Sequence, residues 1–167
     1  MTVCNKQLSY VIFQSRTGKR VKMPVLYNIH PDLKIVYIIC VGLVTARELF
    51  EAVDLSNLDF RRKPGMDTVI DLLASDLDFE LADMYEGIRY LNELPDEVCG
   101  VERLLLVTPS TSLHLLVDTI YLLPAENALK LTAVFTLQDA IIALRPAEHH
   151  QEAIQFFYES KNSIQYS

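Results

Sequence analysis

Cysteine is scarce in this chain: Cys4, Cys40 and Cys99 are the only three in 167 residues. Their wide spacing excludes a disulfide framework and a zinc site built on a short ligand repeat, and it points to a reducing compartment. Glycine is nearly as sparse. The five glycines, at 18, 42, 65, 87 and 100, each stand alone, so no G-x-G or Walker loop is available to cradle a nucleotide phosphate. Basic residues are outnumbered, 15 against 22 acidic, giving a net charge of −7. That balance argues against broad nucleic-acid binding, which needs clustered Lys and Arg to neutralise phosphates. The two small basic groups, Lys19-Arg20 with Lys22 and Arg61-Arg62-Lys63, read as solvated turns. Long apolar runs are missing too. Ile35 to Val44 is the longest, far short of the roughly twenty residues that span a bilayer, and the N-terminus has no signal-peptide pattern. The expectation is a cytoplasmic protein with no membrane span and no nucleic-acid partner.

What is present suits a folded α/β chain. Half the residues are hydrophobic and 22% are charged, which favours a globule with one core over a disordered chain. Leu8 to Phe13 and Arg20 to Ile29 are β-prone, with Pro24 marking a bend or an edge, so residues 1–24 read as an N-terminal arm or hairpin. Val25 to Ile29 and Ile35 to Val41 should pair as an antiparallel hairpin across the turn at Asn28 to Asp32. Thr45-Ala46-Arg47-Glu48 is a capping box that opens a first helix, with Leu49, Val53 and Phe50 facing inward. Asp59 to Gly65 ends it.

Thr68 to Leu73 is a short buried strand. An acidic loop should follow, then a helix carrying Leu81, Met84, Tyr85, Ile88 and Leu91 at helical spacing. Arg103 to Val107 is a third core strand, followed by a helix with Leu113, Leu116, Val117, Ile120 and Tyr121 on one stripe and Ser110 or Thr111 as its cap. Leu131 to Phe135 is the next strand. Thr136 to Asp139 caps a short helix with Leu137, Ala140, Ile141 and Leu144 inward. A last helix covers about Ala147 to Glu159, with Ala153, Ile154, Phe157 and Tyr158 as its apolar side. Alternating strands and helices favour right-handed crossovers and a largely parallel sheet. The organisation expected is an arm (1–24), an α/β domain (25–145) and a C-terminal helix with a tail (146–167).

The capped helix after Gly42-Leu43-Val44-Thr45, Pro64-Gly65-Met66 leading to Val69-Ile70-Asp71, and Ala133-Val134-Phe135 followed by Asp139-Ala140 together resemble the SpoIIAA-like or STAS superfamily, over about Val25 to Arg145. The resemblance implies a mixed, mostly parallel sheet with helices mainly on one face. The other face would then need a cover: the arm, the C-terminal helix or a second subunit. Regulatory members of the superfamily bind protein partners and are switched by phosphorylation of a serine at the start of the helix after the central strand. Asp71 matches the strand acid of that pattern. No Asp-Ser pair precedes Leu81, however, and Ser75 lies too early, so the chain departs from the switch pattern here.

Two further clusters have chemical readings beside ordinary ones. Asp76, Asp78, Glu80 and Asp83 alternate like the start of a calcium loop but lack its glycine and distal glutamate, so helix capping and a solvated loop are the better reading of them. Thr108 to His114 sets hydroxyls and an imidazole at the carboxyl end of a parallel strand, where α/β sheets hold ligands, and capping again uses the same groups. Asp71, Ser110 and His114 could be drawn as a hydrolytic triad, but no G-x-S-x-G elbow supports it. His149 and His150 are adjacent and read as solvated, Cys40 as core, and Phe156 to Tyr158 as a packing or docking face. The candidate ligand-binding residues are thus Thr45, Asp71, Ser75, Ser110, Thr111, Ser112 and His114. No catalytic residue, metal or cofactor is expected. The function that follows is a non-enzymatic regulatory or protein-interaction domain, through a protein partner or self-association. A carrier or sensor of an apolar or anionic small molecule is the alternative, and an unrecognised hydrolase the third reading.

Overall fold

β-Branched and aromatic side chains dominate Val25–His30 (β1) and Ile35–Thr45 (β2), and the two strands pair antiparallel from Val25 opposite Cys40 to His30 opposite Ile35. The computed structural model describes residues 25–78, 80–93, 103–120 and 130–165. The expected arm, the chain breaks at Leu94-Pro95 and Pro124, and Tyr121 lie outside them. Three more strands, Asp67–Asp78 (β3), Arg103–Val107 (β4) and Lys130–Val134 (β5), join in parallel, giving the order β1-β2-β3-β4-β5. Helices Ala46–Leu58 (α1), Leu81–Glu93 (α2), Thr111–Ile120 (α3) and Leu137–Leu144 (α4) each follow a strand. A 3₁₀ turn, Ala147–His149, precedes His150–Gln165 (α5). This is the mixed, mostly parallel sheet that the resemblance implies.

Helices lie on both faces. Leu49, Ala52 and Val53 of α1, Met84 of α2, and Leu113 and Val117 of α3 pack on Val36, Ile38, Ile70, Leu104 and Leu106. On the other face Ala140, Ile141 and Leu144 of α4 and Ala153, Phe156 and Phe157 of α5 cover Ile35, Tyr37, Ile39, Val69 and Leu105. The cover that the second face required is therefore supplied by α4 and α5. The buried stripe of α5 runs Ala153, Phe156, Phe157, Ser160, whereas Ile154 and Tyr158, expected inside, are exposed. Spacings of three and four from Ala153 choose Phe156, whose ring also meets His30 and Tyr37 edge-on. On the first face α2 passes close to α1 at Gly87, where a methyl group would lie 2.2 Å from a Phe50 ring carbon.

Both capping boxes read from the sequence form: Thr45 with Glu48 on α1 and Thr136 with Asp139 on α4. The acidic loop does not. Ala74–Asp78 continues β3 as a parallel ribbon against Val41–Thr45, beyond the reach of β1 and β4. The register shifts first, because Leu72 and Leu73 of β3 stand opposite Cys40 alone, and the alternation restarts out of phase. Gly42, at φ +74°, takes the bend on the β2 side.

At the amino edge of the parallel strands a buried carboxylate ties four elements together. Asp67 receives Arg103 Nε and Nη2, both at 3.0 Å, and Arg145 Nη1 at 2.7 Å. The same guanidinium groups also donate to the last carbonyls of α4, Ala143 and Leu144, and to Lys34 in the β1–β2 turn. Nearby, Asp59 at the end of α1 receives the Arg61 guanidinium and the Tyr27 hydroxyl. Arg61's hydrogen bonds hold the Asp59 carboxyl below its usual range against the opposing effect of burial. A depressed carboxyl stabilises the fold above its unfolded pKa, near 3.9, and the contribution fades as pH falls through the folded value. Urea melts should therefore show wild type more stable than Asp59→Asn at pH 7, with the gap shrinking by pH 3. An unchanged gap would refute the assignment.

Candidate functional site

β4 ends at Val107 opposite Asp71, β3 runs on to Asp78, and α2 and α3 start beyond these two strand ends. Between them is an open cleft of about 770 Å³. Its floor and walls are apolar, from Leu72 and Leu77 of β3, Met84 of α2, and Leu113, Leu115 and Leu116 of α3. Hydroxyls of Ser75, Thr108, Ser110, Ser112 and Thr119 are set among them, and the carboxylate residues Asp76 and Glu80 complete the lining. No lysine, arginine or histidine contributes to it among the described residues. A second void, about 50 Å³ between α1, α2 and the sheet, is lined by apolar side chains.

Local geometry explains the polar wall. Buried Thr108 accepts the Ser110 N–H at 3.2 Å through its Oγ1, folding the chain from β4 into α3. Ser110 then caps α3, its Oγ accepting the Leu113 N–H at 3.4 Å. Ser75 donates to the Leu72 carbonyl at 3.1 Å. Asp83 accepts the Glu80 N–H at 2.7 Å and closes the first turn of α2, whereas Asp76 and Asp78 lie exposed on the β3 extension. Among the described residues no three His, Cys, Asp or Glu side chains gather closely enough to hold a metal ion.

Of the seven candidates, Ser75, Ser110 and Ser112 line the cleft, and the other four do not. Thr45 is engaged in its capping box with Glu48. Thr111 is the exposed first residue of α3. His114 stacks on Phe135, with ring centroids 3.9 Å apart, and its Nε2 meets the Thr108 carbonyl at 3.1 Å. Asp71 is buried towards α5, on the opposite face of the sheet from α3. One of its oxygens receives the Tyr37 hydroxyl at 2.5 Å and the Lys161 ammonium at 2.7 Å, while the other receives the Leu73 N–H at 3.0 Å inside the register shift. The drawn triad of Asp71, Ser110 and His114 therefore shares no hydrogen bond, because each member is engaged elsewhere. His150, read as solvated, has its Nε2 2.8 Å from the Arg145 carbonyl.

Burial, with the Asp71 charge second, pushes the Cys40 thiol up to about 12. It stays protonated at neutral pH, in keeping with a core residue and not a nucleophile. Burial likewise drives the Tyr37 hydroxyl far above its ordinary range, helped by the Asp71 charge and hydrogen bond. Tyr37 and Lys161 were invisible as partners of Asp71 in the sequence, since neither belongs to a motif and Lys161 lies far along the chain on α5.

The fold and its cleft define a mixed α/β domain with an amphipathic groove at the carboxyl edge of its parallel strands. No protein-family model matches the chain, and no curated protein is significantly similar to it. Among solved structures it is similar to an uncharacterized DUF3478-family protein with a SpoIIAA-like fold from Shewanella loihica, with 16% sequence identity and a TM-score of 0.47, over 72% of this chain and 92% of that one. Among the described residues no helix is long and apolar enough to cross a membrane.

Proposed function

We propose that this protein is a non-enzymatic interaction domain of SpoIIAA-like type whose working surface is the carboxyl-edge cleft, receiving a projecting apolar group of a protein partner that carries positive charge. The observation that carries the reading is the cleft's lining. Leucines and Met84 supply apolar area, serine and threonine hydroxyls supply orienting hydrogen bonds, and Asp76 and Glu80 supply negative charge with no cation among the described lining residues to offset it. An anionic ligand is opposed by those carboxylates. The closed second face also moves the working surface away from the sheet and onto its rim, since α4 and α5 already bury what a partner would have covered.

The test uses two small probes of similar shape and opposite charge, phenethylamine and 3-phenylpropionate. Phenethylamine should shift the amide resonances of Ser75 to Leu77 and Ser110 to Leu116 in a saturable way, and 3-phenylpropionate should leave them in place. Equal responses, or none, would sink the reading. A small-molecule carrier is the second reading, favoured by a volume within the roughly 300–1,000 Å³ usual for ligand pockets. A stoichiometric adduct in the native mass spectrum of the purified chain would shift the assignment to it.

A further inference from the structure

The edge opposite the cleft carries a rigid projection. α1 ends at Leu58, and Asp59 to Lys63 follow before Pro64-Gly65 turns the chain into β3. Leu58 is 80% exposed and Phe60 89% exposed. Single exposed apolar residues are commonplace, but these two flank an anchored residue. Asp59, between them, accepts the Arg61 N–H at 2.9 Å and its Nη2 at 2.7 Å, and takes the Tyr27 hydroxyl from β1. Arg62 reaches Thr68 of β3. The backbone is thus pinned while the Phe60 ring stands in water, with Lys63 exposed beside it and Lys34 exposed on the same edge.

We infer that this knob docks in the cleft of a second copy of the chain. The inference rests on the reading of the cleft as a docking surface. Knob and cleft are complementary: apolar side chains with a lysine on one, and on the other an apolar groove with Asp76 and Glu80 and no cation among the described lining residues. They lie at opposite ends of β3, about 30 Å apart at the rise of a strand, so no molecule can fill its own cleft. The contact joins two different surfaces, head to tail, and repeats into a ring or an open chain instead of closing as a symmetric pair.

Two variants at exposed positions separate the halves of the contact without touching the core: Phe60→Ser removes the knob, and Leu115→Arg, at a side chain 63% exposed on the cleft wall, places a positive charge in the groove. In sedimentation velocity the wild-type chain should self-associate with a Kd of order 0.1 mM, as befits a small interface. Each variant alone should remain monomeric. An equimolar mixture of the two should form a heterodimer and nothing larger, because one chain keeps only its cleft and the other only its knob. A wild-type chain that stays monomeric, a variant that associates like wild type, or a mixture that stays monomeric overturns the inference. Binding of the wild type to phosphatidylserine vesicles that is lost in Phe60→Ser, with no self-association, assigns the knob to a membrane surface and overturns it too. The phenethylamine titration repeated on Phe60→Ser keeps the two readings apart: retained shifts with no wild-type association leave the cleft standing and remove only its occupant.

Discussion

Asp67→Ala should cost the fold about 3–5 kcal/mol, the range for removing one partner of a buried ion pair. The carboxylate is 2% exposed and pairs with both Arg103 and Arg145, whose side chains are 31% and 12% exposed. Removing it leaves two guanidinium groups side by side at the carbonyls of Lys34, Ala143 and Leu144, without the carboxylate that joined them. The amino ends of β3 and β4, the end of α4 and the β1–β2 turn lose a common anchor. For a chain of this length the loss corresponds to a fall in Tm on the order of 10 °C. Replacing all three charged residues by apolar ones of similar size should restore much of the stability, because a buried pair contributes little net energy against a well-packed apolar substitute. If Asp67→Ala melts within a degree or two of wild type, the anchor has been misread.

Asp71→Ala should cost about 2–4 kcal/mol, chiefly because the Tyr37 hydroxyl and the Leu73 N–H lose their acceptor. Lys161 is about a third exposed and can turn to water, so its part in the loss is small. Tyr37→Phe isolates the hydroxyl and has a pH signature. The folded phenol is held neutral by burial while the unfolded one ionises near pH 10, so the group's stabilising contribution is complete below pH 10 and declines as the pH rises beyond it. Wild type should therefore lose more stability than Tyr37→Phe between pH 9 and pH 11 in urea melts. Parallel losses would show that Tyr37 ionises freely in the folded state.

The β1–β2 hairpin, both capping boxes and β4 were legible because each has a local signal: a turn before a β-branched run, a hydroxyl three residues ahead of an acid, a short apolar stretch. The extension of β3 was not. Leu72 and Leu73 break the two-residue alternation at the register shift, and the acids after them have the composition of a loop, so only pairing with Val41–Thr45 makes Ala74–Asp78 a strand. The rotation of α5 onto Phe156 was hidden for a related reason, since a helix with aromatics at consecutive positions offers more than one apolar stripe and the sheet selects among them. In the candidate site, Ser110 and Ser112 came from their position after a strand. Asp76 and Glu80 were noticed as acids, but their share in a cleft with Met84 and Leu115 depends on where α2 and α3 land.

By itself the sequence determined the order of strands and helices and the parallel course of most strands, because side-chain periodicity and helix caps act over a few neighbouring residues. Tertiary structure alone decided which distant groups meet: Asp67 with Arg103 and Arg145, Asp71 with Tyr37 and Lys161, and the hydroxyls of α3 with Asp76 and Glu80 around one cleft. Such meetings follow from how the elements pack, and a buried charge or a shared groove has no period along the chain from which it could be read.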